Sequence, residues 1–273
     1  MMDKILTVAK SDTRIRAVSM EGSRANASSP VDIYMDYDIS YYVADIEPFY
    51  NNPLWVIEKF GEPLIMQMPQ AMRCPDEGRH FNYMMIYPDS SRLDLTFKPE
   101  KHVDDGEPYV ILLDKDDGAG FVPTFSRTTD EAFHIKPPTA LEYYSCCNNF
   151  WWCLNNVAKG IARDELSYVM FMLNSIVREE LHFMMSWHIG VKHGFDLSVG
   201  KEGKYFKLYM DAEHYERYKV TYSCADYEHI WASVNEMCDL FHDLAIKVGL
   251  AFGFTYRQYE EDGIRQYFKI ISK

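Results

Sequence analysis

The 273-residue sequence lacks a long hydrophobic run, and its first residues lack a signal-peptide core. No apolar stretch approaches the roughly 20 residues that a helix needs to cross a bilayer. Three charged residues, Asp3, Lys4 and Lys10, interrupt the apolar residues at the N-terminus, which is not the pattern of a secretory leader. The sequence therefore predicts a cytoplasmic protein that does not act at a membrane.

Cysteine and basic residues are also sparse. None of the six cysteines has the spacing of a metal-binding pair, and we interpret them as reduced core or pocket residues. Asp and Glu outnumber Lys and Arg by 41 to 28, which gives a net charge of −13. This balance disfavours a nucleic-acid partner, because DNA and RNA binding depends on clustered basic side chains. It suits a cationic substrate, although solubility alone also explains a negative charge.

Hydrophobic residues make up 47% of the chain, which is enough for a full core. Short strands alternate with helices up to residue 136, and long helices follow the Pro137-Pro138 pair. We therefore predict an α+β protein with two domains. The first, 1–136, is a mixed β-sheet with flanking helices, and the second, 137–273, is an α-helical bundle. We expect a monomer.

The predicted elements follow from hydrophobic periodicity and from capping and turn residues. The predicted helices are 3–14, Pro53 to Phe60, Thr139 to Lys159 with an end at Gly160, Asp164 to Gly190, and 226–249. The predicted strands are 16–20, Asp36 to Val43, Leu64 to Met68, Tyr83 to Tyr87, Leu93 to Phe97, and Tyr109 to Leu113. The methionine and aromatic stripes of the second half are interpreted as core packing.

The most informative motif is Gly22-Ser23-Arg24, which Asp36-Tyr37-Asp38 follows twelve residues after the arginine. A glycine turn lets the backbone approach an anion closely, and a serine and an arginine add a hydroxyl and a charged fork. Two acids at i and i+2 on a strand point to the same face, as a magnesium site requires. The alternative is that Asp36 and Asp38 are solvated acids on an exposed strand face. The aromatic and β-branched residues that follow them argue against it. The combination is typical of a nucleotidyltransferase.

Asp94 is a third candidate ligand, because it is the only charged residue within the apolar strand from Leu93 to Phe97. A lone acid in such a strand is costly unless it is paired or bound to a metal. The sequence leaves two interpretations open. Asp94 completes a carboxylate triad with Asp36 and Asp38, or it forms a salt bridge to Arg92 or Arg79.

The motifs Met20-Glu21-Gly22-Ser23-Arg24, Asp36-Tyr37-Asp38-Ile39-Ser40-Tyr41 and Asp45-Ile46-Glu47-Pro48-Phe49 resemble those of the aminoglycoside 6-adenylyltransferases. Residues of the second half, among them Phe150-Trp151 and Leu197-Ser198-Val199-Gly200-Lys201, resemble the same family. The resemblance extends to about residue 250. It implies a catalytic nucleotidyltransferase domain, a helical substrate-binding domain, and Mg²⁺-dependent transfer of AMP from ATP to a streptomycin hydroxyl, with antibiotic resistance as the result.

The resemblance also implies residue roles. Asp36 and Asp38 match the metal-binding pair, and Asp94 matches the third carboxylate, the general base of such enzymes. Gly22, Ser23 and Arg24 match the triphosphate-binding turn. Lys201, in a loop with two glycines, either reaches a phosphate of ATP or is simply solvated.

For the acceptor we predict contacts from Glu142, Tyr143 and Trp151, on the first helix after the prolines. The alternative is that this is an ordinary, partly exposed helix. The helix departs from the family pattern, since it has fewer acids around Cys146-Cys147. Other acceptors therefore stay open, namely another aminoglycoside, a lincosamide-like drug or a protein side chain. A non-catalytic nucleotide-binding or drug-binding module is the remaining alternative.

Overall fold

The computed structural model describes residues 1–72, 80–99, 107–116 and 128–271. The contacts of the chain divide it into two units, Met1–Ala132 and Phe133–Lys273. The predicted boundary lies a few residues later, and the catalytic and substrate-binding roles of the two parts stay predictions. Within the described ranges, no helix is long and apolar enough to cross a membrane.

The first unit contains helices α1 (Met2–Ser11) and α2 (Pro53–Phe60) and strands β1 (Ile15–Glu21), β2 (Tyr37–Val43), β3 (Ile65–Gln67), β4 (Phe81–Ile86), β5 (Arg92–Lys98) and β6 (Tyr109–Asp114). The strands form one sheet in the order β3-β4-β5-β2-β1-β6. β2 and β5 are parallel, and the other neighbours are antiparallel. The predicted mixed sheet with flanking helices is confirmed.

The two faces of this sheet differ in polarity because the side chains of β2 alternate. Ile39, Tyr41 and Val43 are buried with α1 and α2 in the core of the unit. The alternate residues Asp38, Ser40 and Tyr42 point to the opposite face. The helices thus cover the apolar face, and the polar face carries the predicted carboxylates.

The described residues of the second unit form helices and connecting loops, with no strand. Its helices are α3 (Ala140–Ala162), α4 (Leu166–Phe171), α5 (Arg178–His193), α6 (Phe206–Tyr209), α7 (Ala212–Val220), α8 (Tyr227–Phe252) and α9 (Gln258–Ile271), and a π-helical segment, Met172–Val177, joins α4 to α5. They enclose one large core of aromatic, aliphatic and sulfur-containing side chains. This confirms the predicted helical second half.

Two predicted helix ends are wrong for one reason. Gly160 and Gly190 lie inside α3 and α5, which continue to Ala162 and His193. A Cβ atom at Gly160 would lie 2.7 Å from the Val169 side chain, and one at Gly190 would lie 2.3 Å from the Phe195 ring. Both glycines therefore allow close packing and do not end their helices.

The predicted helix starts had mixed outcomes. Thr139 caps α3 as predicted, and it forms a capping box in which its side chain accepts from the Glu142 amide while Glu142 accepts from the Thr139 amide. Asp164 does not open the next helix, because it adopts a left-handed conformation with φ of 57°. α4 begins after it, at Leu166.

Sequence analysis missed α7 and α9. Their sequences are mostly polar, and each buries only a few residues, His214 and Tyr218 in α7 and Glu261 and Phe268 in α9. In α7 so few apolar residues give a weak periodic signal, whereas α9 is strongly amphipathic and its pattern was overlooked. Tertiary packing supplies the missing stabilisation, as in the edge-to-face contact between Trp231 and Phe268, whose ring centroids are 5.1 Å apart.

Candidate active site

A row of acidic residues crosses three adjacent strands of the first unit. Asp38 on β2 lies directly opposite Asp94 on β5 and directly opposite Glu21 on β1. Directly opposed residues point to the same face of a sheet, so the three carboxylates line up on the polar face. Asp36, two residues before Asp38, adds a fourth at the start of the strand. The structure thus brings the three predicted ligands together and adds Glu21, which sequence analysis did not single out.

Gly22 packs directly against this row. It has a φ of +68°, and a Cβ atom at this position would lie 2.5 Å from Oδ2 of Asp38. The turn Gly22–Arg24 is therefore seated on the carboxylate, and both its conformation and its contact demand glycine. The predicted proximity of the glycine turn and the Asp pair is present in the structure.

The crowding changes the acidity of Asp38. Burial is the largest cause and the neighbouring charges of Asp94 and Asp36 add to it, so that the pKa of the Asp38 carboxyl is raised to about 6. Arg92 acts in the opposite direction but does not compensate. Asp38 therefore lies in a place where negative charge is in excess.

Arg92 is the main counter-ion of the row. Its guanidinium donates from Nε to Oδ1 of Asp94 at 2.9 Å and from Nη2 to Oδ2 at 2.6 Å, and its Nη1 lies 3.2 Å from Oδ2 of Asp36. The salt bridge to Arg92 that sequence analysis left open for Asp94 is thus present. Arg79, the other candidate partner, lies outside the described residues.

This pairing has a geometric consequence for a metal ion. The ligand atoms of Asp36, Asp38 and Asp94 do not all lie within 4.8 Å of one another. Among the described residues, one group of three potential ligands meets this distance, and it lies elsewhere in the chain. The guanidinium of Arg92 lies between Asp36 and Asp94. A metal ion held by all three acids would therefore have to displace Arg92.

Glu21 organises the neighbouring part of the polar face. Its carboxylate accepts from Ser40 Oγ at 2.6 Å and from Ser19 Oγ at 3.0 Å, and it pairs with Lys98 Nζ at 3.0 Å. Glu21 immediately precedes Gly22, so these bonds fix the end of β1 from which the glycine turn starts. Glu21, Lys98 and the contact of Arg92 with Asp36 were missed because their relation to the Asp pair depends on strand register. Only the position of Glu21 beside Gly22 gave a local signal.

Arg24 and Ser23 differ in how the structure uses them. The Arg24 guanidinium donates to the carbonyl oxygens of Asp36 at 2.9 Å and Met35 at 2.8 Å, and it stacks 3.9 Å from the centre of the Tyr37 ring. Arg24 thus fixes the backbone that carries Asp36. Ser23 Oγ has no hydrogen-bond partner among the described residues, so it is available to a ligand.

The predicted acceptor residues lie elsewhere in the structure than expected. Tyr143 is fully buried, and its hydroxyl donates to the Ala245 carbonyl at 2.9 Å. Trp151 is 2% exposed and packs edge-on against Phe150 and Phe241. Both side chains belong to the core, which corrects their predicted role as acceptor contacts. Glu142 is exposed but serves the capping box of α3.

The second unit contains a cleft that the sequence did not predict. It has a volume of about 590 Å³, and its lining includes Glu179, His182, Ser186 and Glu202. Neither glutamate has an ion-pair partner within the described ranges. Burial lowers the pKa of His182 to about 4, so its imidazole is neutral at pH 7. Lys201 lies in an exposed turn beside the cleft, and its role with ATP stays a prediction.

Comparisons with known proteins agree with the geometry. The family described as streptomycin adenylyltransferase matches residues 1–271. An aminoglycoside 6-adenylyltransferase of Bacillus subtilis (strain 168) is 39% identical, over 98% of this chain and 95% of that protein. One from Campylobacter jejuni is 37% identical, over 95% and 90% of the two chains.

A solved structure shows the same fold. The crystal structure of an aminoglycoside 6-adenyltransferase from Bacillus subtilis is 34% identical, and the match has a TM-score of 0.50 and covers 100% of this chain and 97% of that one. The polar face described above thus occurs in a sequence that matches these enzymes over nearly its whole length. The chain belongs to the streptomycin adenylyltransferase family.

Proposed function

We propose that this enzyme transfers AMP from ATP to a hydroxyl of a cationic aminoglycoside, the 6-hydroxyl of streptomycin, and so confers resistance to the antibiotic. The observation that carries the proposal is the row of Glu21, Asp38 and Asp94 beside the Gly22 turn. The relatives named as aminoglycoside 6-adenylyltransferases support the acceptor class.

The donor set suits Mg²⁺, which binds oxygen ligands and usually takes one or two carboxylates together with substrate phosphates. Asp36 and Asp38 would hold it, with Asp94 beside them. The raised pKa of Asp38 supports this assignment, because a bound cation would offset its causes, which are burial first and then the neighbouring charges of Asp94 and Asp36. When bound, the ion neutralises charge on the phosphates during transfer.

The residues of the chain have separate tasks in this proposal. Gly22 and Ser23 bind the triphosphate, and Arg24 holds the strand that carries Asp36. The acceptor hydroxyl gives its proton to Asp94 and attacks the α-phosphorus in line. The new oxygen–phosphorus bond forms as the bond to pyrophosphate breaks. Catalysis on this account is mainly positioning and charge neutralisation.

The cleft of the second unit is our proposed acceptor site, in place of Tyr143 and Trp151. Its volume falls in the range of small-molecule sites. Glu179 and Glu202 offer carboxylates, which bind guanidinium groups by charge-assisted hydrogen bonds. This is the chemistry that a guanidinium-bearing antibiotic needs.

The first prediction concerns the reaction itself. Incubated with MgATP and a panel of antibiotics, the protein should add one AMP to streptomycin, as detected by mass spectrometry. Asp38→Asn should lower the rate about 1000-fold or more, because several kcal/mol of charge stabilisation is lost. Asp3→Asn, which changes an exposed acid on α1, is the control.

An active, folded Asp38→Asn protein contradicts the mechanism. Transfer of AMP to another compound and not to streptomycin contradicts the proposed acceptor. ATP binding without pyrophosphate release for any acceptor favours a non-catalytic module.

The second prediction separates the contact of Gly22 from its backbone strain. Gly22→Ala should lower activity about 100-fold, because the new methyl group displaces the Asp38 carboxylate. Gly253→Ala has a similar φ of +73° with nothing within 4 Å, so it is the matched control. Both variants should lose about 1–2 kcal/mol of unfolding free energy. Equal activity of the two variants would show that the contact does not matter.

The third prediction tests whether Arg92 competes with the metal. Arg92→Gln should bind Mn²⁺, used in place of Mg²⁺, about tenfold more tightly without nucleotide, because no guanidinium has to leave Asp36 and Asp94. Titration followed by electron paramagnetic resonance measures free Mn²⁺. Arg14→Gln, which removes the partner of Asp12, is the control. Weaker Mn²⁺ binding by Arg92→Gln would mean that Arg92 supports the site and does not block it.

The fourth prediction tests the acceptor cleft. Glu179→Gln and Glu202→Gln should each raise the KM for streptomycin about tenfold and leave the KM for ATP unchanged, since each removes one charge-assisted hydrogen bond. Glu228→Gln, an exposed acid of α8 outside the cleft lining, is the control. If neither variant changes the KM for streptomycin, the acceptor binds elsewhere.

A further inference from the structure

Three potential metal ligands converge in the second unit, in residues that the proposed reaction does not use. His188 lies on α5, Asp211 directly precedes α7, and His214 lies in the first turn of α7. Each offers a ligand atom, and these atoms all lie within 4.8 Å of one another. His214 Nδ1 is 3.5 Å from Asp211 Oδ2, and the two imidazole rings meet edge-on with centroids 5.2 Å apart.

The two histidines are buried without adequate partners. His188 and His214 are each 8% exposed. Both ring nitrogens of His188, and Nδ1 of His214, lack a hydrogen bond to any described residue. A buried polar atom without a partner is unfavourable, and such atoms commonly mark the place of a water molecule or an ion.

Asp211 behaves unusually for its position. An aspartate at a helix N-cap normally accepts from backbone amides of the first turn. Asp226 does so at the start of α8, where it accepts from Glu228 and His229. Asp211 makes no such capping bond, and its carboxylate faces Lys192 and His214. The chain thus contains two Asp-x-x-His sequences at helix starts. The aspartate of the one beside His188 makes no capping hydrogen bond, whereas the other aspartate does.

We propose that His188, Asp211 and His214 bind a divalent transition-metal ion, for which Zn²⁺ is the best candidate. Two imidazoles and one carboxylate are ligands that Zn²⁺ favours, and a water molecule would complete a tetrahedral set. Mg²⁺ and Ca²⁺ prefer oxygen ligands and would not choose this group. The ion would tie α5 to the start of α7. The proposal does not depend on adenylyl transfer.

Two lysines set a limit on the affinity. Lys192 pairs with Asp211, and Lys247 on α8 lies 3.0 Å from Nε2 of His214. Their positive charges oppose a bound cation. Removal of the Lys247 charge should therefore strengthen metal binding, whereas removal of a ligand should weaken it. Effects of opposite sign distinguish a metal site from a site where any substitution disturbs packing.

The test measures Zn²⁺ binding to the full-length protein by competition with a chromophoric chelator. All variants carry Cys74→Ser and Cys224→Ser. Cys224 is an exposed thiol, and Cys74 lies outside the described residues. This background protein should bind one Zn²⁺. His188→Gln and His214→Gln should each weaken binding at least about 100-fold, in line with loss of one of three protein ligands. Lys247→Met should tighten it about tenfold.

The matched control is His229→Gln, because His229 belongs to the Asp-x-x-His sequence without a third ligand. It should bind Zn²⁺ like the background protein. Circular dichroism without metal checks that each variant folds. Unchanged binding by His188→Gln and His214→Gln overturns the proposal, and so does weaker binding by Lys247→Met. Absence of Zn²⁺ binding by the background protein overturns it as well.

Discussion

The register of β1, β2 and β5 is the constraint on which the candidate active site depends. It places Glu21, Asp38 and Asp94 directly opposite one another, on the face of the sheet away from α1 and α2. A slip of one residue would exchange the two faces and turn carboxylates into the hydrophobic core. The buried residues next to the acids, such as Ile39 and Leu95, hold the register, because they pack against the helices. The same alternation that builds the core thus assembles the site.

Sequence analysis identified the parts of the site that have a signal in their own stretch of the chain. The Gly22 turn, the Asp36–Asp38 pair and the lone acid at position 94 all have local signals, since each interrupts or opens an apolar strand. Glu21 and Lys98, and the contact of Arg92 with Asp36, become part of the site only through strand pairing, which no local pattern encodes. The salt bridge of Asp94 to Arg92 was one of two open alternatives, and the structure contains it beside the row of acids.

Predictions from residue type were wrong where the same type of residue suits two different structural roles. Glycines 160 and 190 have the composition of helix ends but serve close packing, because Val169 and Phe195 occupy the space of a side chain. Tyr143 and Trp151 are amphipathic aromatics that suit either a ligand or a core, and their neighbours decide for the core. Glu142 was read as an acceptor ligand, and a capping box accounts for it. In each case the deciding contact is one that residue type alone does not reveal.

The balance of charge connects the two metal proposals and shows why they differ. On the sheet, four carboxylates, Glu21, Asp36, Asp38 and Asp94, face the cationic side chains of Arg92 and Lys98, so two negative charges are left over. One divalent ion would cancel that excess, and the raised pKa of Asp38 has the charges of Asp94 and Asp36 among its causes, after burial. Around His188 and His214, in contrast, Lys192 pairs with Asp211 and Lys247 contacts His214, so positive charge is already in excess. A cation there has to be held by nitrogen lone pairs and not by net charge. The first site therefore suits a hard ion that arrives with phosphates, and the second suits an ion that prefers imidazole.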